Sequence, residues 1–177
     1  LLNIGRRQLI SFHEEAKATS RLDHPGIVKL LDFGASDSGI PYMVLEFIDG
    51  ESLETRLERE KRLEWKEART LFTQILDAIA YAHEHGLYHR DIKPSNILLP
   101  RSPEQEETIK IIDFGIAKAA NAEEADTGKQ GNTIVGAPFY MSPDQGLGKA
   151  YDKRSEVYSL GCVLFECLTG HPPFQGE

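Results

Sequence analysis

A chain of 177 residues, 40% hydrophobic and 27% charged, is long enough to bury one sizeable core, and one domain is the natural expectation. Its formal charge of −8, with no basic stripe, speaks against a DNA or RNA footprint. No apolar run approaches the roughly 20 residues that span a bilayer, and nothing resembles a signal peptide. The first residue is Leu1 rather than Met, which predicts a longer parent.

Ser11-Phe12-His13-Glu14 has the form of a capping box and predicts a helix with Ser11 as its N-cap. Phe12, Ala16 and Thr19 share one face of that helix, and Glu15 lies on it too. A carboxylate there is partly desolvated and wants a cation; the plainer reading is a solvated helix charge. Residues 27–33 and 42–48 are β-rich, and Ser38-Gly39 between them predicts an antiparallel hairpin, with Gly50 breaking the pattern afterwards. A long helix is expected over 65–85, with Leu71, Ile75, Ala78, Ile79 and Ala82 at helical spacing and Gly86 as its left-handed stop. Short strands at 97–99 and 109–112 bracket a polar surface loop, and residues 119–133, polar and without period, predict a mobile one. A last helix near 155–168 is apolar on almost every side (Val157, Leu160, Val163, Leu164, Leu168), which predicts the buried centre of its lobe. Gly170 and Pro172-Pro173 end it. Cys162 and Cys167 within it read as reduced, buried thiols, which fits a cytoplasmic compartment.

The residues that carry chemistry are His89-Arg90-Asp91-Ile92-Lys93-Pro94-Ser95-Asn96, followed by Asp113-Phe114-Gly115. Together they resemble the catalytic and metal-binding loops of eukaryotic-like Ser/Thr protein kinases, of the bacterial type. The resemblance implies an α+β, two-lobed protein kinase-like fold. Residues 1–45 would be the C-terminal part of the N-lobe, and 46–177 the hinge and most of a helical C-lobe. It implies ATP- and magnesium-dependent phosphoryl transfer to Ser or Thr of a protein substrate. Asp91 would accept the hydroxyl proton, Lys93 would neutralise charge on the moving group, and Asn96 and Asp113 would give magnesium hard oxygen ligands.

By the same resemblance, Glu15 would pair with a nucleotide-lobe lysine and the ATP phosphates. Leu45 stands at the gatekeeper position, and Glu46-Phe47-Ile48 is similar to the hinge, with backbone groups for adenine. Leu98 would lie beneath the adenine ring; plain core packing is the alternative for Leu45 and Leu98. Residues 136–144 resemble the substrate-docking end of an activation segment, and 152–161 the start of the central helix. Arg90 suggests regulation. Phosphorylated Thr133 would bond to Arg90 and Lys118 and order residues 119–135, against the alternative of an ordinary solvated threonine. Thr127 is a weaker candidate.

Three positions depart from the family. Ala137 replaces a Thr that contacts the catalytic Asp and Lys, Asp144 replaces a Glu paired to a distant Arg, and Glu156 replaces the Asp that braces the catalytic-loop backbone. Loss of the Thr hydroxyl predicts reduced rather than abolished activity. No Gly-rich loop or strand-borne lysine precedes Glu15, the lysine being expected about twenty residues upstream. The isolated segment is therefore expected to be inactive. Two other readings stand beside the enzyme: a pseudokinase that senses nucleotide or scaffolds, and a small-molecule kinase. The parent is expected in the cytoplasm, with membrane anchoring through flanking sequence left open.

Overall fold

The computed structural model of the chain describes residues 6–101, 108–114 and 138–174. Helix α1 (Arg6–Thr19) leads into an antiparallel pair, β1 (Leu30–Ala35) and β2 (Pro41–Leu45). A second antiparallel sheet runs in the order β3-β4-β5, with β3 at Gly50–Ser52, β4 at Ile97–Pro100 and β5 at Lys110–Ile111. Helices α2 (Leu53–Glu60), α3 (Trp65–Glu84), the short α4 (Pro143–Gly146) and α5 (Lys153–Thr169), with 3-10 turns at Pro94–Asn96 and Pro138–Tyr140, complete the described elements.

Helix α1 starts ahead of Ser11, so the expected capping box is a misreading and residue 11 lies inside the helix. A serine costs only a few tenths of a kcal/mol in a helix interior, so a cap-like pattern there is no barrier. The face built on Ala16 and Thr19 is buried, as its spacing predicts.

The hairpin forms with Leu30 opposite Leu45 and Phe33 opposite Met43. Gly39, at φ 77°, supplies the left-handed residue of its turn. Residues 27–29 leave the strand and do something else. Ile27 bridges Ile111 in parallel, the Val28 N–H donates to Ile111 O (2.9 Å), and the Ile111 N–H donates to Gly26 O (2.8 Å). This stitch fixes the first part of the chain to β5.

Gly50 opens β3 rather than ending a pattern, and it stands opposite Pro100. A Cβ there would sit 2.3 Å from Leu99 O, so the strands pair this closely only because position 50 has no side chain. Gly50→Ala should cost about 1–3 kcal/mol by forcing β3 away from β4. A lowered urea midpoint of the full-length protein would show it, with Gly146→Ala, which meets nothing within 4 Å, as the control.

Helix α2 was not expected. Ser52 caps it, its Oγ accepting from the Thr55 N–H at 3.1 Å, and Leu53 and Leu57, one turn apart, are buried. Helix α3 buries Ala68, Leu71, Phe72, Ile75, Ala78, Ile79 and Ala82 along one stripe. These join Leu160, Val163 and Cys167 of α5 and Ile97, Leu99, Ile109 and Ile111 in one core. Helix α5 departs from expectation: among the described residues Val157 is 63% and Phe165 41% exposed, so it buries one side rather than nearly all. Both cysteines are free and buried, and burial pushes the Cys167 thiol up to about 12. No helix among the described residues is long and apolar enough to cross a membrane.

Candidate active site

Residues 89–96 lie between α3, which ends at Glu84, and the start of β4. Ile92, 5% exposed, anchors the segment below, and Pro94 opens a 3-10 turn (Pro94–Asn96) that passes into β4. Side chains on either side of that anchor are thereby turned toward solvent. Lys93 Nζ lies 2.7 Å from Asp91 Oδ2, and the two side chains are 26% and 30% exposed. Asn96 Nδ2 donates to Asp91 O at 2.8 Å and reaches Asp91 Oδ2 at 3.2 Å. A carboxylate and an ammonium, partly shielded yet accessible, are thus held against a buried amide.

Asp113 is brought alongside by the backbone. The Ile112 N–H donates to Asn96 O at 3.0 Å, continuing the β4–β5 register of Ile97 opposite Ile111. His89 closes the other side: its Nε2 donates to Ile112 O (2.8 Å), and its Nδ1 accepts from the Asp91 N–H (3.2 Å). Those two bonds define a neutral ring protonated at Nε2. Its complete burial is the main reason the pKa falls below the usual histidine value. Phe114 packs on this ring at 4.8 Å and is itself buried, which leaves Asp113 exposed at φ 61°. An aspartate tolerates that left-handed backbone better than most residues.

The Asn96 amide and the Asp113 carboxylate are hard oxygen donors on two segments joined by the Ile112 N–H to Asn96 O bond, and they would suit magnesium, which takes few protein ligands and keeps several waters. With its nitrogen turned to Asp91, the amide would offer the metal its oxygen.

Arg90 is also left-handed, at φ 67°, a conformation that costs an ordinary residue roughly 1–2 kcal/mol. Glu156, fully buried on α5, holds it: Oε1 accepts the Arg90 N–H at 2.8 Å. The extra methylene at this position therefore does not withdraw the brace. The same carboxylate accepts from the Tyr151 hydroxyl (3.1 Å) and pairs with His83 Nε2 (2.6 Å). His83 and Tyr151 went unnoticed in the sequence. The only signal was indirect, since an acid on a buried helix face must find donors.

Leu45, Glu46 and Ile48 are half-buried where β2 ends, and Leu98 is half-buried in β4 opposite Ser52 and Lys110. The Glu46 side chain accepts from the Lys29 N–H (2.9 Å) and from Lys110 Nζ (2.6 Å). Burial alone would raise its pKa, but these partners outweigh it and hold the carboxyl below its usual range. Lys110, another unexpected partner, thus joins the end of β2 to the strand that leads into Asp113.

Beyond the site, Tyr140 donates to Glu166 Oε2 (2.6 Å), and Ser159 Oγ donates to Tyr140 O (2.7 Å), fastening residues 138–142 onto α5. Asp144, expected to pair with an Arg beyond residue 177, pairs with Lys149 at 2.9 Å across an exposed turn. Gly115, Lys118, Thr127, Thr133, Ala137, the loop over 119–133 and the side chain of Glu15 lie outside the described residues.

The family model for the protein kinase domain matches residues 3–177. Over 174 residues the chain is 38% identical to the serine/threonine-protein kinase PknB of Mycolicibacterium smegmatis, covering 95% of this chain and 27% of that protein. It is 43% identical over 166 residues to the serine/threonine-protein kinase PrkC of Bacillus subtilis, covering 94% and 24% respectively. For the serine/threonine-protein kinase pkn3 of Myxococcus xanthus the figures are 36% over 172 residues, 97% and 31%. The chain thus spans between 24% and 31% of the length of these relatives. With a match over nearly its whole length and an α+β fold containing parts of both lobes, the chain belongs to the protein kinase domain family.

Proposed function

We propose that this chain carries the catalytic loop of an ATP- and magnesium-dependent protein serine/threonine kinase. The observation that supports it most is that Lys93 and Asn96 both reach Asp91 within 3.2 Å, on a loop hydrogen-bonded to Ile112, between β5 and Asp113. Similarity to serine/threonine-protein kinases supports the substrate class.

In this reading an oxygen of the Asp91 carboxylate takes the proton of a Ser or Thr hydroxyl. The Ser or Thr oxygen forms the new bond to the terminal phosphorus of ATP, the bond from that phosphorus to the bridging oxygen breaks, and ADP leaves. Lys93 offsets negative charge on the transferred group. Asn96 and Asp113 hold magnesium, which when bound screens charge on the phosphates. Leu45, Glu46, Ile48 and Leu98 line the adenine side, and Glu15 pairs with a lysine of the nucleotide lobe. The lobe boundary falls at 45/46, between two separate sheets. Arg90, Lys118 and Thr133 form the regulatory set. The buried free thiols support a cytoplasmic location for this part of the protein.

The test is phosphate transfer from labelled ATP to a Ser/Thr peptide by the full-length protein. Chelating divalent metal with EDTA should reduce labelling to background, and excess magnesium should restore it. Labelling that is insensitive to EDTA would count against the metal-holding roles of Asn96 and Asp113. No labelling in magnesium would count against the enzyme and favour a scaffold.

A further inference from the structure

Glu156 is the most enclosed acid in the described chain, at 0% exposure, and its two oxygens serve three partners. Oε1 is shared by the Arg90 N–H and the Tyr151 hydroxyl, while Oε2 faces His83. Tyr88 stands between the last two, its ring edge-to-face with His83 at 5.2 Å and with Tyr151 at 6.0 Å. Three aromatic residues from three places (the end of α3, the segment before His89, and the segment before α5) therefore enclose one carboxylate. Among the described residues, the backbone N–H that this carboxylate accepts is that of the strained residue next to Asp91.

The geometry points to Tyr151 as a positioning residue for the catalytic loop, acting through Glu156 and matched to the length of the glutamate side chain. A buried carboxylate that keeps more than one strong donor has one orientation, and an oxygen fixed in that orientation fixes the Arg90 N–H. Remove the Tyr151 hydroxyl, and Oε1 keeps only the bond it must use to restrain Arg90. Shorten the acid to aspartate, and its oxygens withdraw from both tyrosine and backbone together. The two changes then disturb one arrangement and cannot act independently. Tyr151 also retains its proton: burial, with the Glu156 charge next, pushes its pKa up, so the hydroxyl is a permanent donor.

The experiment uses the full-length protein with Tyr151→Phe, Glu156→Asp and the double variant. Amide hydrogen exchange is followed in the peptide spanning 88–92, and kcat and KM for ATP are measured alongside. Tyr151→Phe should speed exchange at Arg90 by up to about tenfold and lower kcat severalfold, with KM changed less than about twofold. In the Glu156→Asp background the same Tyr151→Phe change should add almost nothing. Exchange at 88–92 that matches wild type, acceleration spread evenly over the domain, or full multiplication of the two effects would each overturn the assignment. The kinetic arm rests on the phosphoryl-transfer reading, whereas the exchange arm does not. A protein without kinase activity but with local exchange at 88–92 would retain the positioning role and lose only the proposed reaction.

Discussion

Asp91→Asn in the full-length protein should lower kcat for phosphate transfer to a Ser/Thr peptide by about 10²–10⁴-fold, the range of a lost general base. The substitution preserves shape. The Asn96 amide keeps its bond to the backbone oxygen of residue 91, and an amide oxygen can still face Asn96 Nδ2. What disappears is the ability to hold a proton, together with the charge opposite Lys93 at 2.7 Å. Since both side chains are about a quarter to a third exposed, loss of that ion pair should cost no more than about 1 kcal/mol of stability. Nucleotide affinity and the urea midpoint should therefore stay near wild type while turnover collapses. Autophosphorylation labelling that is comparable in the two proteins would remove Asp91 from the role of base. Lys93→Met is the natural companion: it should also reduce kcat, through loss of charge neutralisation rather than of proton transfer.

The active loop is legible in sequence through its resemblance to the catalytic loop of protein kinases, and because Asp91, Lys93 and Asn96 sit on one short segment. Helix α3 is legible for a related reason, since its apolar residues repeat at the helical period without a breaker. Helix α2 is not, because eight mostly charged residues carry only Leu53 and Leu57 as a buried pair. Its stability comes from the Ser52 cap and from packing against the rest of the core. The start of α1 fails differently: the local cap pattern at Ser11 competes with helix-forming residues upstream and loses. The partners of Glu156 are beyond any local rule. His83 is 73 residues away, and only tertiary packing brings the two together. Exposure of Val157 and Phe165 is likewise invisible to periodicity, which reports apolar residues and not what covers them.

His89→Leu should destabilise the domain by about 2–5 kcal/mol, although leucine fills much of the same space. The imidazole is completely buried and satisfies two backbone groups, Ile112 O and the Asp91 N–H. Leucine removes both bonds, each at a cost of roughly 1–3 kcal/mol. The same residue should also give the domain a pH signature. Burial lowers the pKa of His89 in the folded state, so below the unfolded value near 6.5 the unfolded chain takes up a proton that the folded one refuses. Stability from this residue is thus fully present above about pH 6.5 and declines as pH falls toward the folded pKa, by up to about 1.4 kcal/mol per pH unit. Urea unfolding between pH 7.5 and 5.5 should show a steeper loss for wild type than for His89→Leu (pH values chosen to span roughly one unit either side of the unfolded histidine). Parallel slopes would mean that the ring accepts a proton in place, which its bond to the Asp91 N–H forbids. Because those two bonds add, through one ring, to the Ile112 N–H to Asn96 O tie between the loop of Asp91 and the approach to Asp113, the variant should lose turnover even where it remains folded.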